Sequence, residues 1–499
     1  MKFRSITIVC LILLVLPGFA QPDQFERVRA AIREQMQKRN VPSVSVAVAR
    51  DGKIIWEEAF GWADRENRIE ATPHTMYSLA SISKPFTATA LMILKQRGLV
   101  DLDRPINDYL GDAKIKVRVG NPNDVTVRRV ANHSSGLPLH YQFFYADEPF
   151  RAPSRDETIL RYGNTVTAPG EKYQYSNLGY GILDYVITRV SGKDYAEFMR
   201  TEVFAPLGMT HAAIALQPNI APGLEKFHAI RYGTDGLPIP FYEFDHPGAS
   251  AVYASAHDLV RFGMFHLKSH LSDQKAILSD ASIDEMQRPT MKAEEAWSYG
   301  IGWRSGQHSS GHRVLFHTGG MGGVSTILCM LQDDKIAFAV LANASNDLAG
   351  FPPLPNVIRD EIISSLVTAL PRTATTAAPS STTPVSTLFG TWKGIVHSWP
   401  SDLSFTLEIK TDGDVHAQLG SQLTTLLNRA AFKDGYLTGV MNGDIGTEDA
   451  NRTKYILSLS LKLRGEILNG GITAISTSEK RVGNALTHWV ELMKTAPSK

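Results

Sequence analysis

Cysteine is nearly absent from this chain. Its 499 residues hold two, Cys10 and Cys329, so disulfides cannot staple the fold and stability must come from an apolar core, which a chain of this size supplies. Long apolar runs are equally scarce: residues 6–16 form the only one, it is too short to span a bilayer, and no later segment is apolar enough to cross. Charge of one sign is missing too. Lys and Arg number 51 against 50 Asp and Glu, a formal net charge of +1, with no basic block that would read as a nucleic-acid surface. The chain has no G-x-S-x-G, which excludes the strand-to-helix elbow that carries serine in the α/β-hydrolase arrangement. It has no H-E-x-x-H either. Its 15 histidines invite a search for metal, yet His266 and His270, expected on one helix face, have no carboxylate nearby in sequence that would complete a site and read as a surface pair. His308 and His312, in a Ser/Gly loop, make no better case, so neither metal nor cofactor is expected.

The start of the chain reads as an export signal. Lys2 and Arg4 give a basic head, residues 6–16 an apolar middle, and Gly18-Phe19-Ala20 the small residues of a cleavage site near Ala20. The expected protein is therefore exported, periplasmic or secreted, with no stable membrane span once the leader, residues 1–20, is removed. Losing Lys2 and Arg4 moves the formal charge from +1 to −1 and leaves Cys329 as the sole thiol.

Periodicity sets out the rest. Residues 25–39 carry Val28, Ile32 and Met36 at fourfold spacing, an amphipathic helix. Residues 43–50 and 53–60 flank Asp51-Gly52, a pair that suits a tight primed turn, and predict a hairpin. A matching hairpin is expected over 325–331 and 335–342, followed by a helix over 355–370. Strands at both ends of about 350 residues with a helical middle predict an α/β (α+β) fold: one antiparallel sheet built from N- and C-terminal segments, flanked by helices, with an inserted helical subdomain. This unit takes residues 21–370. Residues 371–386, rich in Pro, Thr, Ser and Ala, read as a linker. Residues 387–499 show short alternating runs between Asp-Gly and Asn-Gly pairs, which predict a separate antiparallel β-barrel, and Gly390-Thr391-Trp392 resembles the opening of lipocalin-like barrels.

The chemistry concentrates in three strings. Ser81-Ile82-Ser83-Lys84 heads an apolar helical run; a spacing of three stacks two side chains on one helix face, so the Lys84 amine can reach the Ser81 hydroxyl. Burial of that lysine disfavours its charged form and makes it a usable base. The second S-x-x-K, Ser272 to Lys275, lies in a polar stretch and reads as a solvated loop. A Ser/Lys pair also needs a group to handle the leaving-group proton. Of two Tyr-x-Asn strings, Tyr175-Ser176-Asn177 is favoured over Tyr162-Gly163-Asn164 because it follows Pro169-Gly170 and feeds a helix. The third string, His317-Thr318-Gly319-Gly320, follows a short strand, and its glycines allow a substrate backbone to lie beside it.

S-x-x-K, Y-S-N and H-T-G in this order and at these spacings resemble the class C β-lactamase and serine D-Ala-D-Ala carboxypeptidase family, over residues from about 41 to 370. Lesser features agree: the string Asn132 to Pro138, and Ser255-Ala256-His257-Asp258-Leu259 at an expected helix start. The resemblance implies a β-lactamase/transpeptidase-like fold and a serine hydrolase working through an acyl-enzyme. Ser81 would be the nucleophile, Lys84 and Tyr175 the proton-handling groups. Asn177, His317, Thr318 and Gly319 would bind substrate, and the N–H groups of Ser81 and Gly320 would form the oxyanion hole. His317 stands where β-lactamases of this family carry lysine, which points to a peptidase, D-Ala-D-Ala carboxypeptidase or aminopeptidase-like, on short or D-residue peptides, with a promiscuous carboxylesterase, a β-lactamase and a penicillin-binding sensor as alternatives. The expected partner is a small-molecule or short-peptide substrate, not nucleic acid; the sequence leaves the oligomeric state open.

Overall fold

The protein is described here by a computed structural model covering residues 23–215, 223–345, 352–371, 385–478 and 481–495. The expected leader, and most of the expected linker at 371–386, lie outside the described residues.

The Asp51-Gly52 pair does what its chemistry allows: both residues take positive φ, 49° and 75°, turning Ser43–Arg50 back onto Lys53–Asp64. The second hairpin pairs Val324–Leu331 with Ile336–Ala342. Ser43–Arg50 then lies against Ile336–Ala342 with Val44 opposite Ala342 and Val48 opposite Phe338, so the two ends of the catalytic region share one nine-stranded antiparallel sheet. Period-two alternation divides its faces. Val44, Val46, Val48, Phe338 and Val340 pack under the helices Glu26–Arg39 and Leu354–Leu366, where Val28, Ile32, Ile358 and Ile362 are fully buried. Each such aliphatic side chain contributes roughly 1.5 to 3 kcal/mol by leaving water. The opposite face presents small residues, Ala47, Ala49, Ala337 and Ala339. Smallness there lets the helix Ala256–His266 come close: a Cβ on Gly263 would stand 2.8 Å from the Ala337 Cβ.

Three local expectations are corrected. The helix expected over 355–370 stops at Leu366, after which Val367 is extended. His266 is the last residue of its helix, so His270 shares no helical face with it; His266 is also buried rather than superficial, bonded through Nε2 to Thr89 Oγ1 at 3.1 Å. The strand expected to end at Phe316 runs on through the glycines as Arg313–Met321.

Beyond residue 385 the chain forms antiparallel strands from Gly390–His397 to Asn484–Lys494. The edges of this sheet are Thr425–Leu426 and Asn428–Lys433, joined through Leu427 alone, which brings the two margins together into a nearly closed barrel. Alternation fills it: Phe405, Leu407 and Ile409 point inward from one strand, and Leu457, Leu459 and Leu461 from another. The barrel is less separate than its sequence suggests. Asn484 and Ala485 pair with Gln142 and Tyr141 of the helical lobe, Tyr162 donates to Asp449 at 2.5 Å, and Glu171 accepts from Tyr436, Lys462 and Arg464.

Candidate active site

Ser81 sits in a 3₁₀ turn, Ala80–Ile82, that runs directly into the helix Ser83–Gln96. Ala80 holds a φ of 48°, a left-handed conformation that costs an alanine energy and persists only where the surroundings impose it. They do so through Leu79, whose N–H donates to Val252 O at 2.9 Å and whose carbonyl accepts from Thr326 Oγ1 at 3.1 Å. The turn is thereby pinned between the helical lobe and the strand Arg313–Met321, with the Ser81 side chain half-buried at the boundary.

Residues 83–94 are all buried, Lys84 included at 0% exposure. Its Nζ lies 3.2 Å from Ser81 Oγ, 2.8 Å from Asn177 Oδ1 and 3.2 Å from Ala249 O. Burial, with the nearby Arg304 charge adding to it, pushes the Lys84 ammonium well below its usual range. A neutral amine has two N–H donors and one lone pair. Asn177 Oδ1 and Ala249 O can only accept, so they take both donors and leave the lone pair for the Ser81 hydroxyl. Asn177 cannot be reversed, because its Nδ2 donates to His140 O at 2.9 Å. It opens the helix Asn177–Ser191, whose cap is Ser176 accepting from Gly179 N–H. Tyr175 precedes that cap, its ring centroid 4.7 Å from Lys84 Nζ. Burial raises the Tyr175 phenol well above its usual range, opposed by a hydrogen bond to Ser81. Three of the expected residues, Ser81, Tyr175 and Asn177, therefore gather around Lys84.

The third string forms the opposite wall. His317 is buried, with Nδ1 at 2.8 Å from Thr318 O and Nε2 at 3.0 Å from Tyr299 OH. A carbonyl cannot donate, so Nδ1 carries the proton and Nε2 accepts from the phenol; burial, with the Arg304 charge adding to it, pushes the imidazole well below its usual pKa. Both ring nitrogens are thus engaged internally. Thr318 is half-buried, and Gly319 packs on the turn so closely that a Cβ would fall 2.0 Å from Leu79 O. At Gly320 a Cβ would meet nothing within 4 Å. On one side this strand pairs throughout with Val324–Leu331, Gly320 opposite Ser325. On the other, Arg304–Gln307 reaches only Arg313 to Phe316, so from His317 onward that edge has no strand partner among the described residues. Thr318, Gly319 and Gly320 also line a cleft of about 380 Å³ to which the barrel contributes Val482.

Sequence reasoning missed several neighbours. Arg304 is half-buried, its Nη1 paired with Glu294 Oε1 at 3.3 Å and its Nε unbonded, and its charge acts on Lys84, Tyr175, His133 and His317. His133, inside the string noted on resemblance alone, accepts from Ser176 N–H at 3.1 Å and faces the rings of Tyr175 and Tyr299 at 4.4 and 4.7 Å. Arg304 carries no local motif, and proximity in space is its only signal; His133 was marked only by the string that contains it. Of the alternatives set aside, Ser272 and Lys275 are exposed in a bend, and Tyr162 is buried against the barrel's Asp449. His308 and His312 pair with Asp360 and Asp334.

Comparison with known proteins bears on the family and the fold. The family model described as Beta-lactamase matches residues 28–361. The chain is similar to Penicillin-binding protein 4* of Bacillus subtilis (strain 168), 27% identical over 323 residues that cover 61% of this chain and 68% of that protein. Its fold is similar to that of the octameric penicillin-binding protein homologue from Pyrococcus abyssi, with a TM-score of 0.59 at 22% identity over 94% of this chain and 99% of that one. A class C beta-lactamase gives a TM-score of 0.59 at 19% identity over 70% of this chain and 99% of its own.

Proposed function

Because the chain belongs to the beta-lactamase family, whose members are serine hydrolases, we propose that it is an exported peptidase that acylates Ser81 with short peptides ending in a D-residue and a free carboxylate. The observation that carries this reading is the Arg304 guanidinium, which shares one nitrogen with Glu294 at 3.3 Å, beside a strand edge that has no partner from residue 317 among the described residues and a His317 whose two ring nitrogens are both engaged internally. A peptide laid along that edge pairs its backbone with residues 317–320 and brings its terminal carboxylate toward the guanidinium, whose planar donors suit carboxylate oxygens.

In this mechanism the neutral Lys84 amine takes the Ser81 proton as Oγ attacks the scissile carbonyl. The N–H groups of Ser81 and Gly320 receive the oxyanion, a contribution of about 2.7 to 4 kcal/mol per donor in other hydrolases. Tyr175, protonated at neutral pH, delivers a proton to the departing amine and afterwards helps activate water. Asn177 holds Lys84 in place through its oxygen. Lys84 and Tyr175 act as one coupled unit around Ser81. Export rests on the basic and apolar pattern of residues 1–20.

The test is a substrate panel on the mature protein: a D-alanyl-D-alanine-terminated peptide, the same peptide as its terminal amide, a short nitrophenyl ester and a penicillin. The free acid is expected to exceed the amide in kcat/KM by at least tenfold, and Arg304→Gln to remove that preference. Equal rates for acid and amide in the parent protein would overturn the carboxypeptidase reading, and faster ester turnover would favour an esterase.

A further inference from the structure

Three histidines that no motif connects meet at one end of a small sheet. Its strands are Tyr77–Ser78, Val252–Ala254 and Ala212–Ile214, with the middle strand antiparallel to both others and Ala254 opposite Tyr77 and Ala212. The starts of the outer strands and the end of the middle one therefore coincide. His74 lies three residues before Tyr77, His211 immediately before Ala212, and His257 three residues after Ala254. Their rings lie close but tilted to one another: His74 is 4.7 Å from His257 and 5.1 Å from His211 between centroids. Glu57, from the large sheet, completes the group with Oε2 at 2.8 Å from His257 Nδ1.

We propose that Glu57, His74 and His257 form a binding site for a divalent transition ion of the zinc class, with His211 placed to join them. One ligand atom from each of the three lies within 4.8 Å of the others. Zinc bonds of about 2.0 to 2.2 Å bring tetrahedral ligand atoms to roughly 3.3 Å apart, so the group must contract by about 1.5 Å at most. His74 is exposed and free of helix or strand, which lets its side chain make that movement. Imidazole with one carboxylate is a borderline donor set that suits zinc, copper or nickel better than magnesium or calcium. A second observation points the same way. Asp258 is fully buried next to His257, its Oδ2 accepts His211 N–H at 2.6 Å, and its Oδ1 has no hydrogen-bond partner. That carboxylate holds the His211 backbone in place, and its free Oδ1 is a buried, unpartnered acceptor beside the cluster.

The consequence is mechanical. The strand Tyr77–Ser78 leads within two residues to Ala80 and the Ser81 turn, so an ion at His74 and His257 would tie the approach to the nucleophile to the start of the helix Ala256–His266. Unlike a second group, His140, Asp245 and His246, which is wholly buried, this site opens to solvent and an ion can enter.

Untagged mature protein, stripped with a chelator and dialysed against ZnCl2, is expected to hold one zinc per chain and to unfold about 3 °C higher at a hundredfold excess over Kd. Co²⁺ in its place is expected to show tetrahedral d–d bands. His74→Ala and His257→Ala are expected to lose zinc and the thermal shift, while His74→Ala without metal unfolds as the parent does. Failure to bind zinc stoichiometrically would overturn the proposal. So would zinc retained by the double variant, or lost only in His246→Ala, which would assign it to the buried group.

Discussion

Gly319→Ala is the most discriminating perturbation of the site, because the structure separates it from its neighbour so sharply. The added methyl would stand 2.0 Å from Leu79 O and 2.4 Å from Thr326 Oγ1, where carbon and oxygen ordinarily keep about 3.2 Å or more. Thr326 can rotate, but Leu79 O is backbone, pinned one residue before the strained Ala80. Relief therefore requires the strand Arg313–Met321 and the Ser81 turn to part by about 1 Å. Such overpacking costs about 1 to 3 kcal/mol of stability, and a displacement of that size between reacting groups costs about 100-fold in rate. Gly320→Ala is the internal control: its methyl meets nothing within 4 Å, its φ is not left-handed, and its backbone N–H is kept. The assay is the rate of Ser81 acylation by a fluorophosphonate, with thermal unfolding in parallel. We expect Gly319→Ala to fold with a lower Tm and acylate about 100-fold more slowly, and Gly320→Ala to stay within about threefold of the parent. Acylation of Gly319→Ala at the parent rate, or equal damage from both, would refute the reasoning that this contact sets the geometry of the cleft.

Lys84→Ala is expected to lower acylation by about 100- to 10,000-fold, the range for removing a general base; unchanged labelling would show that the amine is not the base. Because Lys84 is depressed and must be neutral to act, acylation by an uncharged ester should fall as pH drops through that lowered pKa, and a flat profile from pH 5 to 9 would contradict it. Glu171→Gln breaks the contacts to Lys462 and Arg464 four residues before Tyr175, and should cost about 2 kcal/mol by chemical denaturation together with a measurable loss of kcat. A loss of stability with kcat intact would place the effect in the barrel contact alone. Acid should destabilise the fold through His266 and His488, which burial lowers to about 3 and about 4. Below about pH 6.5 the unfolded chain binds protons that the native state refuses, so stability falls with pH, by roughly 2 to 3 kcal/mol per histidine at pH 4.5. Denaturant midpoints from pH 7 to 4.5, with His488→Phe flattening part of the slope, measure it.

Much of the scaffold was legible in the chain itself. Asp51-Gly52 could make only a primed turn, the Val44, Val46 and Val48 alternation required a buried face, and Ser81 at the head of a fully apolar helix placed a lysine where water could not follow. Those are local properties, decided by φ, by a period of two or 3.6, and by burial. What lay in no local pattern was every relationship across the fold. Arg304 carries no motif, yet its field reaches Lys84 and His317. His317 proved neutral and inward-facing because Tyr299 and Thr318 O occupy its nitrogens. His266 is a core residue because helix and sheet close over it, although its spacing from His270 suggested a surface. The barrel, set apart in sequence by composition, is hydrogen-bonded to the helical lobe. His74, His211 and His257 meet only because three antiparallel strand ends coincide. Local sequence fixes what each side chain can donate, accept or bury; which of them face one another depends on long-range strand pairing and close packing, and only the folded chain decides that.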